Sequence, residues 1–133
     1  MFVDASAIVA ILMREADGEA LAVRLDGAAA PVTSPIAIFE AVMAIRRMRG
    51  GSVAQALGDV RDFMKAARIQ TVAVTSEDGE TALEAFARFG KGQGHPAQLN
   101  MGDCFAYAVA WNRRTTLLFK GDDFSRTDLP RDP

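Results

Sequence analysis

Asp4, Glu40, Asp103 and the adjacent pair Asp122-Asp123 are the residues of this chain whose types and positions best suit chemistry. Asp4 directly follows the apolar run Phe2-Val3, and the Asp pair follows the run Thr115 to Phe119 after Lys120-Gly121. Glu40 stands four residues after Ile36 and three before Met43, which puts it on one apolar stripe of a predicted helix. Asp103 falls in the first turn of an otherwise strongly apolar helical segment. An unpaired buried carboxylate is costly, so each of these acids needs a reason. Taken singly, each has an ordinary one. Asp4, Asp122 and Asp123 can be turn residues, Asp103 can stabilise its helix N-terminus, and Glu40 can pair with a base from another element. Its own helix offers only Met43 and Ala44 three and four positions ahead.

Taken together they suggest a shared site. Three of the acids lie just past strands or in a first helical turn, where one sheet edge can gather them, and four carboxylates converge only with cations or protons. A set of hard oxygen ligands without His or Cys favours Mg²⁺ or Mn²⁺. Two such ions, about 3.5–4 Å apart, can activate water and stabilise the leaving oxygen of a phosphodiester. Ser6 can hydrogen-bond a ligating acid from behind; its alternative role is to cap the helix that follows.

The elements that must position these acids alternate along the chain. Phe2-Val3 is a strand ending at Asp4, and Ser6 caps a helix to Leu12. Asp17 or Gly18 opens a second helix that ends near Gly27. Pro31 to Thr33 is a second strand. Ser34 as N-cap and Pro35 at the first helical position start a helix to Arg49, stopped by Gly50-Gly51. Two apolar stripes, Ile36/Phe39/Met43 and Ile38/Val42/Ile45, predict that much of this helix is covered. Ser52 caps a helix to about Ala67, and Ile69 to Val74 is a strand. Thr75 with Asp78 forms a capping-box spacing that opens a helix to Phe89. Gly90 to His95, followed by Pro96, is a loop. Gly102 to Asn112 is helical, Thr115 to Phe119 a strand, and Gly121 to Pro133 a polar tail with one short helical turn. Short apolar strands separated by helices predict an α/β chain with a mostly parallel sheet covered on both faces. In such sheets ligands bind beyond the carboxyl ends of the strands, where the acids stand.

Composition narrows the class. The chain has 133 residues, 50% hydrophobic and 24% charged, with 15 basic and 17 acidic side chains, one His and one Cys. That length fits one domain, able to bury roughly 65–70% of its unfolded surface without disulfide or zinc. The lone Cys and lone His exclude an intramolecular disulfide and a Cys/His zinc site. The sequence is too apolar for disorder. An acid at position 4 replaces the basic start of a signal peptide, and the apolar run from Ala7 to Met13 stops at Arg14-Glu15, short of the roughly 20 residues of a membrane span. These features predict a cytoplasmic protein with no membrane partner. Cys104 reads as a buried small hydrophobe, His95 as a structural or surface residue, and Tyr107 with Trp111 as core or dimer-interface residues. The loop from Gly90 to Gly94 lacks the ending of a phosphate-binding loop of the Walker type.

Four segments carry a family resemblance: MFVDASAIVA over 1–10, the helix around Glu40, HPAQLNMGDCFAYA over 95–108, and LLFKGDDFSRTD over 117–128. Together they resemble the PIN-domain ribonucleases, and among them the VapC toxins of bacterial toxin–antitoxin pairs. The resemblance spans nearly the whole chain, and its last two segments are the specific ones. It implies a single PIN domain over 1–133, a three-layer α/β/α fold with a short, mostly parallel central sheet. Residue by residue, it places Asp4, Glu40, Asp103 and Asp122 at the family's acidic metal site, with Asp123 as the alternative to Asp122. Ser6 matches the polar residue that supports the first acid, although many members carry Thr where Ala5 stands. The implied activity is that of a Mg²⁺- or Mn²⁺-dependent endoribonuclease in which metal-activated water attacks a phosphodiester in line. The implied partners are RNA, a second copy in a homodimer, and a small antitoxin whose tail covers the active site. RNA recognition would rest on phosphate contacts and unpaired bases. Arg46, Arg47 and Arg49 are the nearest basic cluster, with a solvated helix face as their alternative.

Two rivals remain. A phosphoaspartyl phosphatase wants a second acid two residues after Asp4, where Ser6 stands; a phosphate-receiving signalling domain wants an Asp after its central strand, where Val74-Thr75-Ser76 offers none. A non-catalytic α/β binding module would leave the acids as surface charge. The net charge of −2 does not exclude an RNA substrate. Setting four of the 17 acids aside as one metal site leaves 13 against 15 basic residues.

Overall fold

A computed structural model describes residues 1–130 of the chain. Its four strands are two residues long: β1 (Phe2–Val3), β2 (Val32–Thr33), β3 (Gln70–Thr71) and β4 (Leu117–Leu118). They form one sheet in the order β3-β2-β1-β4, with all three pairings parallel. Six helices cover it in a three-layer α/β/α arrangement: α1 (Ala5–Leu12), α2 (Gly18–Asp26), α3 (Pro35–Arg49), α4 (Val53–Ala66), α5 (Ser76–Phe89) and α6 (Met101–Asn112). A 3-10 turn, Phe124–Arg126, follows β4.

The order of the strands matters for the site. From β1 the chain builds outward to β2 and β3 on one side, then returns to place β4 on the other side of β1. The switch in direction therefore falls between β1 and β4, and all strands point the same way. A crevice at their carboxyl ends follows from that topology. Phe2, Val3 and Leu118 are fully enclosed, as strands with both faces covered require. The buried Thr33 hydroxyl donates to the Val3 carbonyl at 2.8 Å, a side-chain bond that adds to the ladder where the strands are shortest.

Capping chemistry sets most helix starts. Ser34 accepts from the Ala37 N–H, and capping boxes open α4 (Ser52/Gln55), α5 (Thr75/Asp78) and α6 (Asn100/Asp103). One expected cap is corrected. Asp4, not Ser6, is the N-cap of α1, because its carboxylate accepts from the Ser6 N–H at 3.0 Å. The strands expected over 69–74 and 115–119 are shorter than their β-branched runs, and β3 is an exposed edge. The first stripe of α3 is also corrected. Phe39 is 68% exposed and Met43 is exposed too, while Ala37, Ala41, Val42 and Ile45 face the core. Small alanines let α3 pack closely on that side, so the apolar count overstated how much of the helix is covered. Residues 131–133, the end of the predicted tail and of the predicted 1–133 domain, lie outside the described residues.

The tail after β4 is anchored by a clamp between helices. The buried Tyr107 hydroxyl on α6 donates to Asp128 at 2.6 Å, and Arg88 on α5 pairs with the same carboxylate at 2.9 Å. The phenol is pushed well above its ordinary pKa, first by burial and then by this hydrogen bond. Asp128→Ala would orphan the buried hydroxyl, a loss of about 1–3 kcal/mol. Urea denaturation should show a lower midpoint with an unchanged slope.

Candidate active site

Asp4 is fixed from three directions at the carboxyl end of β1. Its backbone N–H donates to the Leu118 carbonyl of β4 at 3.0 Å. Its Oδ2 accepts from the Ser6 N–H and from the Ser6 hydroxyl, the latter at 2.6 Å. The same hydroxyl accepts from the Lys120 N–H at 3.0 Å, so one serine ties the first acid to the segment that leaves β4. The side chain of Asp4 is nearly closed to water, with 4% of the residue exposed. Burial raises its pKa, the Ser6 bonds oppose that rise, and the nearby charge of Asp123 adds to it.

Glu40 reaches the same region from the second turn of α3. Its pKa is pushed up to about 7, mainly by burial and then by the charges of Asp4 and Asp103. Among the described residues it has no hydrogen-bond or ion-pair partner. The base expected to neutralise it under the ordinary reading is absent there. Asp103 caps its own helix, accepting from the Asn100 N–H at 3.0 Å. That structural role coexists with a raised pKa of about 6, caused first by burial and then by the charges of Asp4 and Asp123.

The tail acids separate. The charge of Asp123 reaches both Asp4 and Asp103. Asp122 and Asp123 are both exposed, and the Asp122 carbonyl accepts from the Ser125 N–H at 3.1 Å and the Ser125 hydroxyl at 2.6 Å, as a turn residue does. The structure thus brings Asp4, Glu40, Asp103 and Asp123 into one electrostatic group. Sequence reasoning placed Asp122 in it and held Asp123 as the alternative. The 3-10 turn that follows them begins at Phe124, whose burial under Phe119 (ring centroids 5.1 Å apart) carried no distinctive sequence signal.

Among the described residues, no group of three or more His, Cys, Asp and Glu side chains is arranged to hold a metal ion. The acids are close enough to raise one another's pKa, yet not closed on one point. The donor chemistry still fits a hard divalent cation: oxygen ligands only, with three carboxylates raised above their ordinary range. Of the predicted basic cluster, Arg46, Arg47 and Arg49 are exposed on the last turns of α3, and Arg49 pairs with Asp59 of α4. His95 Nδ1 accepts from the Ala97 N–H at 3.0 Å, and its ring meets Phe89 edge-on. Burial pushes the Cys104 thiol up to about 11, which leaves it inert as a nucleophile. Tyr107 and Trp111 stack with ring centroids 5.8 Å apart. Among the described residues, no helix is long and apolar enough to cross a membrane.

Comparison with known proteins gives the family and the fold. The sequence model of the PIN domain family matches residues 1–129. A VapC ribonuclease of Rhizobium meliloti (strain 1021) is 45% identical over 96% of this chain and 98% of its own. Ribonuclease VapC28 of Mycobacterium tuberculosis (strain ATCC 25618 / H37Rv) is 39% identical over 98% of this chain and 96% of its own. The crystal structure of VapC20 of Mycobacterium tuberculosis, a toxin that cleaves the sarcin-ricin loop, superposes with a TM-score of 0.77 at 19% identity, covering 98% of this chain and 97% of that one. At that identity the likeness is one of fold.

The raised pKa values carry a stability consequence. A carboxyl whose pKa is higher in the folded than in the unfolded chain holds a proton that the unfolded chain has already released. Stability therefore falls as pH rises across that window. For Glu40 the window runs from the ordinary 4.5 to about 7, and for Asp103 from 3.8 to about 6. With divalent ions chelated, Glu40→Gln should raise the neutral-pH stability by about 1–2 kcal/mol after solvent screening and flatten this pH dependence. Thermal melts across the window check both effects.

Proposed function

The chain belongs to the PIN domain family, among the VapC ribonucleases, and from that membership and the acid cluster we propose that it is the toxin of a toxin–antitoxin pair, an endoribonuclease dependent on Mg²⁺ or Mn²⁺. The observation that carries the metal requirement is the group of Asp4, Glu40 and Asp103 at one sheet edge, disfavoured as charges first by burial and then by one another and Asp123, where Glu40 has no cationic partner among the described residues. Carboxylates that raise one another's pKa are stabilised by a cation and destabilised without one.

Asp4, Asp103, Glu40 and Asp123 are the residues proposed to hold the metal, with Asp122 as the neighbouring alternative. When bound, the ion supplies positive charge for the phosphate and Lewis-acid polarisation of the reacting oxygens. The chain's own residues do the remaining work. Ser6 fixes the rotamer of Asp4 and opposes its protonation. The Asn100 N–H does the same for Asp103, bonding one oxygen and favouring its charged form. Burial of Asp4 behind β1 and β4 keeps bulk water from competing for its lone pairs. The exposed guanidinium groups of Arg46 and Arg47 lie further along the helix that carries Glu40 and suit phosphate contacts on either side of the scissile bond.

The same reading includes a single domain over the whole chain, a cytoplasmic location, a homodimer and a small antitoxin that blocks the site. Exposed Leu83, Phe86 and Met101, lining a groove of about 270 Å³ between α5 and α6, support an association surface.

Asp4→Asn or Asp103→Asn should abolish RNA cleavage while leaving the fold intact. Asn keeps both caps, so circular dichroism and melting should match or exceed the unmodified protein. Cleavage retained in the double variant would overturn the reading. Between the tail acids, Asp123→Asn should reduce cleavage more than Asp122→Asn, by about tenfold or more in kcat/KM. A further check lies in Ser6→Ala. It should cost about 1–2 kcal/mol of stability and move the acidic limb of the pH–rate profile upward, because the Ser6 bonds hold the Asp4 pKa down.

A further inference from the structure

Gly102 lies in the first turn of α6, directly before Asp103. A Cβ built on it would stand 2.1 Å from Glu40 Oε2, 2.3 Å from Oε1 and 2.3 Å from Cδ. The whole carboxylate of Glu40 therefore occupies the space that any other residue's side chain would fill. Gly102 is itself buried, and its φ is not in the left-handed region, so backbone conformation does not demand glycine here. Helix propensity argues against it as well, since alanine is the better residue inside a helix. Among the described residues Glu40 has no hydrogen bond or ion pair to locate it. Its position is set by the packing of α3 against α6 and by the room that Gly102 leaves.

We propose that Gly102 is a positioning residue for the nuclease reaction: the missing side chain seats the Glu40 carboxylate against the first turn of α6, within the shared field of Asp4 and Asp103. Replacement would displace the end of a flexible side chain, not backbone, so the fold tolerates it while the acid leaves its place. Displacements on the scale of 1 Å at a reacting centre can lower rates by about 10²-fold. The inference rests on the reading of the acid cluster as the catalytic site.

The experiment compares Gly102→Ala, Glu40→Asp and their double variant for RNA cleavage, for Mn²⁺ affinity by calorimetry and for thermal melting, with Asp4→Asn as the reference for the site itself. Gly102→Ala should lose about 10²-fold in kcat/KM and bind Mn²⁺ more weakly, with a Tm equal to or above that of the unmodified protein. A lowered Tm would instead show that the added methyl strains the packing of α3 on α6, and would overturn the positioning role. Glu40→Asp withdraws the carboxylate by one methylene and leaves room for the methyl group that Gly102→Ala adds, so the double variant should fold and lose less than the sum of the single losses. Cleavage and Mn²⁺ affinity undiminished in Gly102→Ala, with cleavage lost in Asp4→Asn, would overturn the role of Gly102 alone. Strictly additive losses in the double variant would overturn it as well. Cleavage undiminished in Asp4→Asn would overturn the catalytic site and this inference together.

Discussion

Asp4 is a carboxylate almost closed to water and surrounded by other acids, and the sheet edge is built around keeping it there. Desolvation and neighbouring charge both disfavour its ionised form. The opposing forces are local: two Ser6 donors on Oδ2, and a backbone bond from Asp4 to Leu118 that makes the end of β1 continuous with β4. Ser6 also receives the Lys120 N–H, so the same hydroxyl that holds the first acid fixes the start of the segment carrying the last. Short strands suffice because they need only deliver these ends. Two enclosed residues in β1 and two in β4 place Asp4 and the tail on either side of the switch point.

The tail depends on a second, distant constraint. Asp123 stands near the cluster because the chain after it folds back, with Phe124 buried against Phe119 and Asp128 held between Tyr107 and Arg88. The clamp joins α5, α6 and the tail. Since α6 also carries Asp103, one network orients two of the acids from behind while touching neither. Such support places part of the cost of holding these acids on residues outside the group itself.

Much of this arrangement was legible in the sequence because its signals are local. Ser34-Pro35, Ser52, and Thr75 with Asp78 mark helix starts that the structure reproduces. Apolar runs ending in acids located Asp4 and the Asp122-Asp123 pair at strand ends. Long-range features were less accessible. Ser6 had two available roles, and it donates to Asp4 because Asp4 itself occupies the cap position. Asp122 and Asp123 differ by one position just before a 3-10 turn that begins at the buried Phe124, and no local sequence signal separates them. The apolar count on α3 did not show which stripe faces inward, since close packing through Ala37, Ala41, Val42 and Ile45 outweighs a Phe and a Met left outside. Gly102 carried no signal as a functional position, because its contribution is an absence of atoms beside a residue far earlier in the chain, Glu40.

The electrostatics also explain why so acidic a site suits a polyanionic substrate. Without a cation, the charges of Asp4, Glu40, Asp103 and Asp123 disfavour a phosphate at the same sheet edge. Under the proposed metal-dependent reading, bound divalent charge would neutralise these carboxylates, and the approach of RNA would be governed by the rest of the surface, where 15 basic residues meet the remaining acids. Substrate access and internal repulsion are then controlled by one event. Under that reading, binding free energy that relieves the repulsion would appear as folding stability, and the unloaded protein would be the less stable form. A site assembled from closed ion pairs would be more stable alone, but its carboxylates would already be satisfied and would have little affinity left for a metal. Glu40, with its carboxyl pushed up to about 7 mainly by burial and lodged in the space beside Gly102, is the clearest case in this fold of an acid held at a cost to stability.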